Sequence, residues 1–89
     1  MTTSTESLIV YPSPFPIKVM GQRVDGIVHA ITSIAHAFDP TFDARTVELR
    51  ESSGGKYLGV TITVTATSRE QLDELYRTLS THPMVKVVL

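Results

Sequence analysis

Apolar and polar positions alternate along Tyr57 to Thr65. Leu58, Val60, Ile62 and Val64 fall on one side, and Gly59, Thr61, Thr63 and Thr65 on the other. A period of two belongs to a strand with one buried face, and the second face here is threonine-rich. Beyond it the period changes. Leu72, Leu75, Tyr76 and Leu79 recur at three- and four-residue steps, the stripe of a helix packed on one side. Ser68 followed by Gln71 reads as a capping box, with Glu70 near the positive helix end, and predicts a helix from Ser68 to about Ser80. An earlier helix is predicted over Val24–Phe38, burying Val24, Ile27, Val28, Ile31, Ile34, Ala35 and Phe38, with Gly26 in its first turn. Asp39-Pro40 stops it, because the residue before a proline avoids the helical region.

Three more strands complete the pattern. Phe15–Met20 turns Ile17 and Val19 inward and Lys18 and Met20 outward, and Gly21 ends it. Arg45–Arg50 turns Val47 and Leu49 inward and Thr46, Glu48 and Arg50 outward. Val85, Val87 and Leu89 alternate in a short last strand after the helix exit at His82-Pro83. Ser52-Ser53-Gly54-Gly55 supplies a hairpin connection. Residues 1–10 read as a flexible tail, frayed over Met1–Ser7, and 11–89 as a single domain. Pro12, Pro14 and Pro16 favour extended geometry, so Tyr11–Phe15 reads as an ordered arm pinned by its aromatic rings.

The resulting order is β-α-β-β-α-β. Two β-α-β units with right-handed crossovers predict a four-stranded antiparallel sheet, first and third strands central, with both helices on one face. This is a ferredoxin-like α+β sandwich.

Composition narrows the function. A chain of 89 residues, 42% of them hydrophobic, makes one small globular domain. It contains no cysteine, which removes disulfides, thiolate metal sites, redox pairs and cysteine nucleophiles. A net charge of -1 does not steer it toward nucleic acid or anionic lipid. No apolar run approaches the roughly 20 residues of a membrane span. The first residues lack a basic block followed by an apolar one, so the cytoplasm is the expected location.

The sheet face away from the helices should present Lys18, Met20, Glu48, Arg50, Tyr57, Thr61, Thr63, Thr65, Lys86 and Val88. An RNA-binding version of the fold stacks bases on aromatic rings of the central strands, and here only Tyr57 is aromatic. A metal chaperone needs cysteines in the first loop. An acylphosphatase needs an arginine, for which Arg23 is in the right neighbourhood, and an asparagine, of which the chain has none. What remains is a solvated face or a protein interface, with Lys18, Thr61, Thr63, Thr65 and Lys86 as its candidate contacts.

Other candidate chemistry is thin. His29 and His36 are seven residues apart, about 10 Å along a helix, too far to share a metal ion. His82 falls near the negative end of the second helix. Asp73 and Arg77 stand at the spacing of a weak surface pair, and Glu70 and Glu74 form an acidic edge with no partner catalyst. No catalytic residue, metal or cofactor is expected. Ser52–Lys56 reads as a hairpin turn, the alternative being an anion held by its amides and Lys56. Met20-Gly21-Gln22 should join the first strand to the first helix, either as a plain tight turn or as a place where free amides hold a carboxylate.

Tyr11-Pro12, Phe15 and Lys18-Val19-Met20-Gly21 resemble the opening of the YbeD-like family of small bacterial proteins. Ser53, Gly55, Lys56-Tyr57, the threonine strand, Leu75-Tyr76, Leu79 and Val85–Leu89 follow in the family's order. The resemblance covers Tyr11 to Leu89. It implies the same fold, similar to the ACT-type regulatory domains attached to enzymes of amino-acid metabolism, and brings with it no reaction or ligand. In ACT domains small ligands sit at subunit interfaces near the glycine-bearing turn after the first strand, and Gly21 is the matching position. The expectation is a non-enzymatic stand-alone ACT-like module that acts as a homo-oligomer, such as a dimer, or docks on another protein. The alternative is a sensor of a small molecule, an amino acid or anion, at Met20, Gly21 and Gln22.

Overall fold

The computed structural model describes residues 10–89; the expected tail lies outside them except for Val10, which is exposed. The elements are β1 (Ser13–Gln22), α1 (Ile27–Phe38), a 3-10 turn (Ala44–Thr46), β2 (Glu48–Glu51), β3 (Tyr57–Ala66), α2 (Arg69–Ser80) and β4 (Val85–Val88). The sheet order is β2-β3-β1-β4, antiparallel throughout. The two strongest alternations, on β1 and β3, are therefore paired at the centre. Ile17 lies opposite Ile62 and Val19 opposite Val60, all fully buried. Ile27, Ile31 and Ala35 of α1 and Leu72, Leu75 and Leu79 of α2 close over them. Each of these Val, Ile and Leu side chains contributes about 1.5–3 kcal/mol by leaving water.

Hydrogen-bond parity explains the proline arm. Even-numbered residues of β1 point their backbone groups toward β4, as Lys18 does in exchanging both bonds with Leu89. Beside Pro14 and Pro16 no strand is paired on that side among the described residues. The missing N–H groups are thus never asked for, and β1 runs through both prolines. Phe15 packs against the core and Tyr11 is half-buried.

Several expectations shift. β1 continues past Gly21 to Gln22. The first helix starts at Ile27 rather than Val24, because Gly26 takes φ 90, a left-handed value that no helical residue adopts. Val24 is left 42% exposed instead of buried. β2 begins at Glu48 rather than Arg45. The Asp43 carboxylate accepts the Arg45 amide at 2.9 Å and winds Ala44–Thr46 into the 3-10 turn. In β4 the register slips at Lys86: Met20 faces Val87, and Gly21 faces Val85. Val88, expected on the open face, lies opposite Val19 and packs on the core, while Val87 takes the open side. On α2, Asp73 pairs with Arg69 and Arg77 with Glu74, rather than with each other. The His82 Nδ1 accepts the Met84 amide at 3.1 Å and shapes the approach to β4.

Where β2 ends, β3 loses its outer neighbour, and two side chains replace it. Asp39, 5% exposed, accepts the Thr65 amide at 2.8 Å on one carboxylate oxygen. Its other oxygen accepts the Thr41 amide and hydroxyl at 2.9 and 2.6 Å. Burial pushes this carboxyl up, but the donors from Thr41 and Thr65 outweigh it, and its pKa lies below the usual value. Ser68 caps α2 as expected, accepting the Gln71 amide at 3.0 Å. The Gln71 side chain does not return to Ser68. It accepts the Thr67 amide at 2.7 Å and donates to the Phe38 and Thr65 carbonyls.

Candidate functional site

The open face is a lattice of side chains set by strand register. Across β2, β3 and β1, one row is Glu48, Thr61 and Lys18, and the next is Arg50, Gly59 and Met20. The third is Ser52, Tyr57 and Gln22, with Ser52 donating its amide to the Tyr57 carbonyl. Gly59 occupies the middle. The centre of the lattice therefore has no side chain, and a groove of about 500 Å³ opens there. Tyr57, 38% exposed, forms one wall. Arg23 of the β1–α1 loop holds Glu51 at 2.7 Å beside the groove.

The sheet edges differ. The outer side of β4 carries the bulge at Lys86, and β1 beyond it carries Pro14 and Pro16. Both features block strand addition. β2 is short but regular, and all four of its residues are exposed. Its even residues bond to β3, so Leu49 and Glu51 direct their backbone groups outward. The helices pack on β3 and β4 and leave β2 uncovered, so Leu49 on their side is 55% exposed.

The expected ligand turn is not a turn. Met20, Gly21 and Gln22 are strand residues facing Gly59, Leu58 and Tyr57. Gly21 is buried, and a side-chain carbon there would collide with the Met84 carbonyl oxygen and come within 2.5 Å of Ile27 Cδ1. The glycine admits the His82–Met84 segment and leaves no opening beside it. Of the candidate interface residues, Lys18 and Thr61 line the groove; Thr63 and Thr65 lie farther along β3, opposite Pro16 and Pro14. Lys86 is exposed in the bulge, away from the lattice row that alternation assigned to it. Hairpin 52–56 closes on itself, with the Gly55 amide bound to the Ser52 carbonyl and the Tyr57 amide to the Ser52 hydroxyl.

By its alternation Leu49 reads as a core residue, and Gly59 does not read as the residue that forms the groove. The glycine within the threonine alternation was the available signal for the notch. Among the described residues, no cluster of three or more His, Asp or Glu side chains is placed to hold a metal ion. No helix there is long and apolar enough to cross a membrane.

Residues 6–89 match the family described as "Protein of unknown function (DUF493)". A UPF0250 protein of Leptothrix cholodnii is 66% identical over 84 residues, 94% of this chain and 92% of that protein. One from Ralstonia nicotianae is 59% identical over 88 residues, 99% and 91% of the two. Among solved structures, protein HP0495 from H. pylori superposes with a TM-score of 0.78 at 16% identity, covering 97% of this chain and 90% of that one. The ACT domain from GTP pyrophosphokinase of Chlorobium tepidum superposes with a TM-score of 0.68 at 18% identity, covering 85% and 94%. At such identities the likeness is one of fold.

Proposed function

The chain belongs to the DUF493 family and has an ACT-like ferredoxin fold, and from that premise we propose that it is a non-enzymatic interaction module that self-associates through the free edge of β2. The observation that carries this reading is the self-complementarity of that edge. Outward backbone groups on Leu49 and Glu51 allow a two-fold axis at either residue parity, and charge selects Leu49 over Arg50, where two guanidinium groups would face each other; centring it on Leu49 lets the two Leu49 residues exchange both hydrogen bonds. In that register Glu48 of one copy faces Arg50 of the other, twice, on the open face. The exposed Leu49 side chains meet on the helix side and leave water. Two four-stranded sheets become one of eight strands.

The same edge would accept a strand from another protein. A second copy is favoured because the charges of β2 already match their own reverse.

Light scattering on the full chain, with Leu49→Pro beside it, tests this. Proline at Leu49 removes an N–H that points away from β3, so the sheet keeps its ladder while the edge loses its donor. The expected result is a dimer for the parent chain and a monomer with unchanged circular dichroism for the variant. A parent chain that stays monomeric at high concentration, or a Leu49→Pro chain that dimerises as well as the parent, overturns it.

A further inference from the structure

Nothing in the fold demands a glycine at position 59. Its φ is not positive, and a side-chain carbon there would meet only the Arg50 carbonyl oxygen at 3.5 Å, an ordinary contact. A glycine inside a central strand gives up packing and costs backbone entropy. What it provides is the notch in the open face, of a volume typical of small-molecule sites.

The notch has a definite chemistry. Its floor is the flat, uncovered peptide of Gly59, and Tyr57 and Met20 stand against it. Arg50 flanks it from β2. Lys18 reaches it from β1, about 12 Å away at the α-carbons by strand spacing and rise. Neither cation has an ion-pair partner among the described residues. Glu51 is engaged by Arg23, so Glu48 is the one lining carboxylate without a partner, and positive charge is in excess.

We propose that this notch binds a small flat organic anion. An aromatic ring lies on the Gly59 peptide between Tyr57 and the Met20 sulfur. Its carboxylate or phosphate is held by Lys18 and Arg50. The site lies within one protomer and does not require self-association. Where β2 pairs with β2, the guanidinium of Arg50 has donors enough for both Glu48 of the second copy and the ligand.

Amide NMR titration of the full chain tests this, with phenyl phosphate and benzoate as probes and inorganic phosphate and benzylamine as controls. The aromatic anions should shift the amides of Met20, Tyr57 and Gly59 saturably, and whichever of the two binds more tightly identifies the headgroup. Inorganic phosphate should bind roughly tenfold more weakly, and benzylamine should leave those amides unmoved. Gly59→Val fills the notch and should abolish binding. Lys18→Gln and Arg50→Gln should each weaken it about tenfold, whether or not the valine variant folds. Affinity should not depend on protein concentration, which separates this site from the dimer. Shifts confined to hairpin 52–56 or the start of α1, equal binding of benzylamine, undiminished binding in both glutamine variants, or loss of binding on dilution of the protein overturns the assignment.

Discussion

Asp39→Asn isolates the energetics of one buried carboxylate. The native carboxylate accepts three hydrogen bonds, from the Thr41 amide, the Thr41 hydroxyl and the Thr65 amide, with no cation among those partners. An asparagine keeps one oxygen. Turned toward Thr41, it presents its NH₂ group to the Thr65 N–H, leaving two donors face to face at a site 5% exposed in the native chain. Losing a charge-assisted bond costs about 1.5–3 kcal/mol, and an orphaned buried donor about 1–3 more. Allowing for partial relaxation, the expected loss is about 3 kcal/mol at neutral pH, or roughly 15 °C in Tm for a domain of this size. The pH dependence gives an independent check. The folded pKa is lowered, so the carboxylate's contribution is complete above the unfolded value of about 3.9 and is lost as pH falls through the lower folded value. The gap between parent and Asn chains in urea melts should therefore be constant near neutrality and narrow below about pH 4. A loss below about 0.5 kcal/mol, within the range of ordinary surface substitutions, would refute the edge-capping role. So would a gap that does not change with pH.

Two further outcomes follow from the same geometry. Gly21→Ala should destabilise the fold by about 1–3 kcal/mol in denaturant melts, since the added carbon must displace the Met84 backbone; a neutral result would mean that the β4 approach shifts freely. Glu48→Arg should weaken self-association about tenfold in sedimentation by placing like charges opposite one another, and adding Arg50→Glu should restore it; failure of the rescue would exclude the register centred on Leu49.

Much of this architecture is readable before any coordinates. The alternation of Leu58 to Val64 and the stripe of Leu72, Leu75 and Leu79 are local periodicities, and a period survives in a one-dimensional text. The Ser68 cap is equally local. The misplacements have non-local causes. Val24 continues the helical stripe in the sequence, yet the chain breaks at Gly26. Leu49 has the pattern of a core residue and is exposed because neither helix reaches its strand. Val88 changes sides because one extra residue in β4 reverses the alternation beyond it. Asp39 signals a helix stop, while its carboxylate replaces a neighbour for a strand 26 residues away.

Order of elements, sheet class, the buried faces of the two central strands and the excluded thiol chemistry were settled by residue type and spacing, because burial imposes a period on whatever covers it. Which edge stayed open, which prolines did no harm and which glycine left a hollow depended on how strands paired. Register and strand neighbours join residues far apart in the chain. A groove lined by Lys18, Arg50 and Gly59 exists only once three strands lie side by side.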